Sequence, residues 1–271
     1  MSERPSVEQA VQARLGVLVD TLRASARYAL LGDADAVHDT RVACRRSRAL
    51  LPVLVWVPEG DLDLVAGELT WLRRALGISR DAEVITRRLE ASGGVPDALA
   101  AALVNPPVRT HVDPARVDLL VSELALIGAR PVPGLTVSDT LHDWVAPEQA
   151  ALVRRVQRAQ ARPTDAAWHG VRRAAKRVRY LAEALEPAYG KPARRLARRT
   201  GDLAELLGER QDAAVTRDLL LTVADEPGIA ARLSAESEAI AVVDEAFPEA
   251  WARVERAWAR VETQPAESSG G

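Results

Sequence analysis

The sequence has one cysteine (Cys44), one phenylalanine (Phe247) and one methionine (Met1). A single cysteine excludes an internal disulfide. Lysine is almost missing: of 36 basic residues all but Lys176 and Lys191 are arginine. Aromatic residues make up 4% of the chain, too few to favour a single-strand nucleic-acid binder, which needs stacking platforms. No apolar run approaches the roughly 18 residues of a membrane span. The start, MSERPSVEQAVQ, lacks the apolar core of a signal peptide. The sequence contains no glycine-rich phosphate loop, carboxylate cluster or HxxxH pair, so neither a metal nor a cofactor is expected. No alternating strand pattern is present. These absences predict an all-α, soluble, cytoplasmic protein.

What is present begins with 271 residues of which 48% are hydrophobic and 27% charged, enough to bury a core. The net charge of −2 hides an asymmetry. Residues Arg154 to Arg199 carry 14 basic and three acidic groups; Asp225 to Gly271 carry ten acidic and four basic. A protein of pI near 6.2 can therefore present a strongly positive face. Arginine richness alone has two explanations, base composition of the genome and bidentate grip on oxyanions, which only placement separates.

Helical periodicity runs almost throughout. Val7, Val11, Leu15, Leu18 and Leu22 recur at steps of three and four, marking an amphipathic helix that Ser6 and Gln9 can cap. Gly32 breaks the chain, and Asp33 or Asp35 can cap a helix reaching Leu51, near which Pro52 ends or kinks it. Further helices are predicted over about 61–76, 79–90, 139–161, 165–185, 191–207, 212–224 and 229–260. Proline marks loops at 105–114 and 130–134, and the tail from residue 263 is expected to be disordered.

The most informative pattern is an internal repeat. Val37 to Arg48 (VHDTRVACRRSR) aligns with Trp168 to Arg179 (WHGVRRAAKRVR) at an offset of 131. The same offset pairs Leu76-Gly77 with Leu207-Gly208, Asp81 with Asp212, Arg23 with Arg154 and Arg27 with Arg158. Two copies of a unit of about four helices are implied, over about 6–130 and 137–262. At about 100° per residue, His38, Arg41, Arg45 and Arg48 form one stripe, repeated by His169, Arg172, Lys176 and Arg179, with Arg173 at its shoulder. Such like charges repel by a few tenths of a kcal/mol per pair, a cost that an anion would remove. Lys191, Arg194, Arg195, Arg198 and Arg199 add a third basic cluster.

A solvated or ion-paired face is the plain alternative for any one stripe; its duplication and the histidine within it favour a site. Three other classes stay open. Helical histidines could accept phosphoryl groups in a phosphohydrolase or phosphotransfer enzyme, with Asp81 or Asp212 on a metal, although acids placed just after Gly77 and Gly208 suit helix capping or ion pairing. Nucleic-acid binding is permitted by the stripe and disfavoured by the lack of aromatics. An adaptor role would use the acidic C-terminal region. His111 and His142 read as surface or loop residues, Cys44 as a small buried side chain, and the six tryptophans as packing between helices.

VHDTRVACRRSRALL and WHGVRRAAKRVRYLAEAL resemble the two histidine-bearing helices of the CHAD domain family, and ALGISRDAEV and LLGERQDAAV its Leu-Gly…Asp segments. The resemblance covers about residues 6 to 260. It implies two pseudo-twofold-related four-helix bundles around a basic cavity that binds inorganic polyphosphate, in an accessory or granule-targeting role. The implied ligand residues are His38, Arg41, Arg45, Arg48, His169, Arg172, Lys176 and Arg179, then Arg173, then Arg195, Arg198, Arg199, Arg23, Arg27, Arg154 and Arg158. Gly170 stands where the first copy has Asp39, and Gln211 where it has Arg80, so the two halves are not equal. Both histidines would be partly protonated near neutral pH. Homo-oligomerisation is left open.

Overall fold

A computed structural model of the chain describes residues 4–76, 78–103, 112–131 and 140–262, without the side chains of 78–83, 101 and 102. Gly77, His111, the side chains of Arg80 and Asp81, and the tail from 263 lie outside the described residues. The described residues are helical, with no strand among them. The helices are α1 (Val7–Leu30), α2 (Ala34–Leu50), α3 (Glu59–Ala75), α4 (Ile78–Ala91), α5 (Asp97–Leu103), α6 (Pro114–Ala129), α7 (Leu141–Ala161), α8 (Asp165–Tyr189), α9 (Lys191–Leu221) and α10 (Ile229–Glu262). They divide into two compact units, residues 1–83 with 105–137, and residues 84–104 with 138–271.

In the first unit α1 packs on α2 and α6, and α3 closes the ring by packing on α2 and α6. Leu15, Leu22, Leu50, Leu69, Leu72 and Leu124 fill its centre. The ends are set by the chemistry the sequence advertises. Ser6 accepts from the Gln9 amide while Gln9 Oε1 accepts from the Ser6 amide, a capping box. Gly32 takes a φ of 91°, a left-handed turn that suits glycine. Asp33, rather than Asp35, caps α2 by accepting from Ala36 N. Pro52 follows the end of α2 in a short 3₁₀ turn, Leu51–Val53. Arg116 holds Glu68 through two bonds of 2.7 and 2.8 Å, and Arg130 holds Asp61 at 2.7 Å, tying α6 to α3.

In the second unit α7 packs on α8, α8 on α9, α9 on α10, and α10 back on α7. Trp168 meets Phe247 edge-on at 4.7 Å between centroids. The α4 and α5 residues Leu89 and Leu99 join Leu220 and Ile229 in a buried cluster; Leu89 and Leu220 are themselves 131 residues apart. The same spacing separates the first residues of α2 and α8, Ala34 and Asp165, and the last residues of α1 and α7, Leu30 and Ala161.

Two expectations need correction. Separate helices over 191–207 and 212–224 are one helix, α9, of 31 residues. Gly208 is not among the glycines of positive φ, and it is buried in helix, so it permits close approach rather than ending the run. Asp212 is consequently no N-cap. Of the loop expected over 105–114, residues 105–111 lie outside the described residues, and its last residue, Pro114, is instead the first of α6, capped by Asp113 accepting from Ala115 N, where a missing N–H costs nothing.

Candidate functional site

In the second unit the stripe lies on α8, bordered by α9 and α7. Arg172 is half-buried and its Nε donates to the Ala204 carbonyl at 3.3 Å. Its guanidinium lies over Gly208, where an added Cβ would stand 3.1 Å from Nη2. Arg179 lies likewise over Gly201, with Nη1 at 3.2 Å from such a Cβ. The pairings 172 with 208 and 179 with 201 run antiparallel, each step being seven residues, or two helical turns.

Charge is unevenly compensated along this stripe. Arg179 donates to Glu183 at 2.7 Å and to Glu205 at 3.1 Å; burial opposes its charge, and the two carboxylates outweigh burial and raise its pKa. Around His169 the balance is reversed. Burial lowers the imidazole pKa first, Arg173 adds to that, Gln211 opposes it by hydrogen bonding, and Arg172 and Lys176 lower it further. His169 Nδ1 is buried with no hydrogen-bond partner. In the ligand-free protein the His169 pKa thus lies below its ordinary value: several of its neighbours are cations, which disfavour another positive charge.

Asp212, on α9, reports the same crowd from the opposite sign. Burial raises its pKa, Arg172 opposes, Glu209 adds to the rise, and Arg88 and Lys176 oppose. On the α7 side Arg155, absent from the predicted set, packs against Gly170, whose added Cβ would stand 3.3 Å from Arg155 Nη1. Burial lowers the Arg155 pKa, followed by Arg177, Arg173 and Arg158; Arg177 itself donates to Glu148 at 2.7 Å.

In the first unit Arg41 is 7% exposed and its Nη1 donates to the Leu76 carbonyl at 3.0 Å. His38 is half-buried one turn away. Arg45 and exposed Arg48 gather with Arg73 and Arg74 of α3: after burial, Arg45, Arg74 and Arg48 are the groups that lower the Arg73 pKa. Arg48, Asp63, Thr70, Trp71 and Arg74 border a groove of about 870 Å³. Arg73 and Arg74 were missed because their repeat partners are Ala204 and Glu205, so the offset carries no signal for them. Cys44 is buried beside Arg45, Arg73 and Arg41, and burial pushes its thiol up to about 12, leaving it protonated and unreactive.

The outer members of the predicted set are more loosely placed. Arg23, Arg27, Arg154, Arg158, Arg195 and Arg198 are exposed. Arg23 pairs with Asp20 at 3.3 Å and Arg199 with Asp202 at 3.1 Å. His142 opens α7, bonded to Asp143 at 3.1 Å and 5.3 Å from the Trp258 ring. Among the described residues no group of three or more His, Cys, Asp and Glu could hold a metal, and no helix is long and apolar enough to cross a membrane.

A family model described as the CHAD domain matches residues 13–221. An uncharacterised protein of Mycobacterium tuberculosis, found in strains CDC 1551 / Oshkosh and ATCC 25618 / H37Rv, is 33% identical over 222 residues, covering 69% of this chain and 40% of the relative. The chain thus spans well under half the length of the curated relatives it matches. Among solved structures, PptA from Streptomyces chartreusis aligns at a TM-score of 0.62 and 19% identity, over 93% of this chain and 99% of PptA. The CHAD domain from the plant Ricinus communis aligns at 0.57 and 21%, over 98% and 95% respectively. These two share its fold.

Proposed function

From the premise that this chain belongs to the CHAD domain family, we propose that it binds inorganic polyphosphate through the basic faces of α8 and α2, as an accessory or targeting module of polyphosphate metabolism. The observation that carries this reading is the crowding of Arg172, Arg173 and Lys176 around a histidine whose charged form they disfavour. Cations held together against their own repulsion are stabilised by a polyanion, and a flexible chain of phosphates can meet several of them at once.

The grip is electrostatic, so affinity follows counterion release. By analogy with single-stranded nucleic acid, the log–log slope against salt is about −0.7 per phosphate neutralised. Four cations engaged at the α8 face give a slope of about −3. Binding of labelled polyphosphate across a salt series measures it. A slope near zero, or equal displacement by DNA at matched phosphate concentration, would remove polyphosphate as the preferred ligand. Release of free phosphate by the purified protein would instead favour phosphotransfer at the helical histidines.

A further inference from the structure

The second unit spends three buried or tightly packed glycines inside helices, and each lies under an arginine. Added Cβ atoms at Gly208, Gly201 and Gly170 would stand 3.1, 3.2 and 3.3 Å from the guanidinium nitrogens of Arg172, Arg179 and Arg155. Ordinary van der Waals contact starts at 3.4 Å. All three glycines sit in helix interiors, where glycine is worse than alanine because it loses more backbone freedom on folding. The other described helix glycines behave differently: Gly16, Gly60 and Gly67 have open space at the Cβ position, and Gly128 meets a leucine.

We propose that Gly208, Gly201 and Gly170 are positioning residues, cradles that let three guanidinium groups lie flat on neighbouring helices and so pre-order the cations of the anion site. Arg155 thereby joins that site as a further binding residue. The inference rests on the polyphosphate reading for its ligand and on the coordinates for its geometry. Without a cradle an arginine side chain samples many rotamers and must be ordered at the moment of binding, which weakens it. With a cradle that ordering is already complete in the free protein. The register supports a common design: Gly201 and Gly208 are seven apart on α9, and Arg179 and Arg172 are seven apart on α8.

The cradles differ in how much they carry. Arg179 is also held by Glu183 and Glu205. The hydrogen bond of Arg172 runs from Nε to one carbonyl, at 3.3 Å. Gly208 therefore matters most. The atoms that its Cβ would crowd are the far end of the Arg172 side chain, so in Gly208→Ala the guanidinium must give by a few tenths of an ångström while the helix stays intact.

The experiment compares full-length wild type, Gly208→Ala, Gly201→Ala, Arg172→Ala and the Arg172→Ala/Gly208→Ala double variant. Gly208→Ala should weaken labelled polyphosphate binding about tenfold, with a melting temperature equal to or above wild type. Gly201→Ala should weaken it less. In the Arg172→Ala background Gly208→Ala should change nothing, because no guanidinium is left to displace. An unchanged affinity in Gly208→Ala, or the same loss with and without Arg172, overturns the proposal. Arg155→Gln should weaken binding severalfold; unchanged affinity removes Arg155 from the site.

A ligand-free readout separates this from the polyphosphate reading. Wild type should show a slowly exchanging Arg172 Nε–H signal by NMR, identified by its loss in Arg172→Lys, and Gly208→Ala should lose it. Persistence of that signal in Gly208→Ala overturns the cradle even if wild type binds no polyphosphate. Failure of wild type to bind, with the signal lost in the variant, overturns the ligand alone.

Discussion

At the scale of single residues the cations of α8 are not equivalent. Arg173 and Lys176 crowd His169, whereas Arg179 is clamped by Glu183 and Glu205. Arg173→Gln with Lys176→Gln should lower polyphosphate affinity at least tenfold by equilibrium titration while far-UV CD stays helical. Arg179→Gln should weaken binding less and also cost about 1 kcal/mol of stability in denaturant titrations, since two carboxylates partly open to water lose a partner. The pH dependence follows from His169, whose folded pKa lies below its ordinary 6.5. Below pH 6.5 the unfolded chain takes up a proton that the folded chain resists, so this group makes stability fall as pH drops through that value. A bound polyanion favours the imidazolium, so binding takes up a proton and is tighter at pH 6 than at pH 8. His169→Gln should reduce the pH dependence of affinity measured by titration calorimetry.

Among helices, the second unit is laced together at one point. Asp165, the first residue of α8, accepts from Arg210 at 2.7 Å and from Arg217 at 2.9 Å on α9, and Arg210 also donates to Asp244 of α10 at 2.7 Å. Burial alone would raise the Asp165 pKa, but Arg210 and Arg217 outweigh it and hold the carboxyl below its usual range. Its stabilising contribution is therefore present above the ordinary carboxylate range near 3.8 and is lost as pH falls through the folded value. Arg210→Met should cost about 2 kcal/mol in thermal or denaturant unfolding, because Asp244 loses its Arg210 partner and Asp165 keeps only Arg217 of its two, and should leave the salt slope of polyphosphate binding unchanged. The helix ends of this unit were partly readable. Apolar spacing gave α8 and α10 to within a few residues, while the continuity of α9 was hidden: Leu207-Gly208 carries the local signature of a helix stop, yet Gly208 sits buried inside a helix that runs on to Leu221.

For the molecule as a whole, a net charge of −2 coexists with the basic faces. Saturating polyphosphate should raise the melting temperature by linkage, about 2.7 kcal/mol at a hundredfold excess over Kd. DNA at the same phosphate concentration should raise it less by differential scanning fluorimetry, and an equal rise would show that general polyanion attraction suffices.

The all-helical class, the caps at Ser6 and Asp33 and the basic stripes of α2 and α8 follow from local rules that act within a few turns of chain: periodicity, capping and charge spacing. Which cations are compensated does not. Glu205 reaches Arg179 from 26 residues away, Gly208 lies beneath Arg172 from 36 away, and Arg73 and Arg74 gather with Arg48 from another helix. Those pairings depend on how helices pack side by side, so tertiary structure alone decided which arginines are tied to carboxylates and which crowd a histidine.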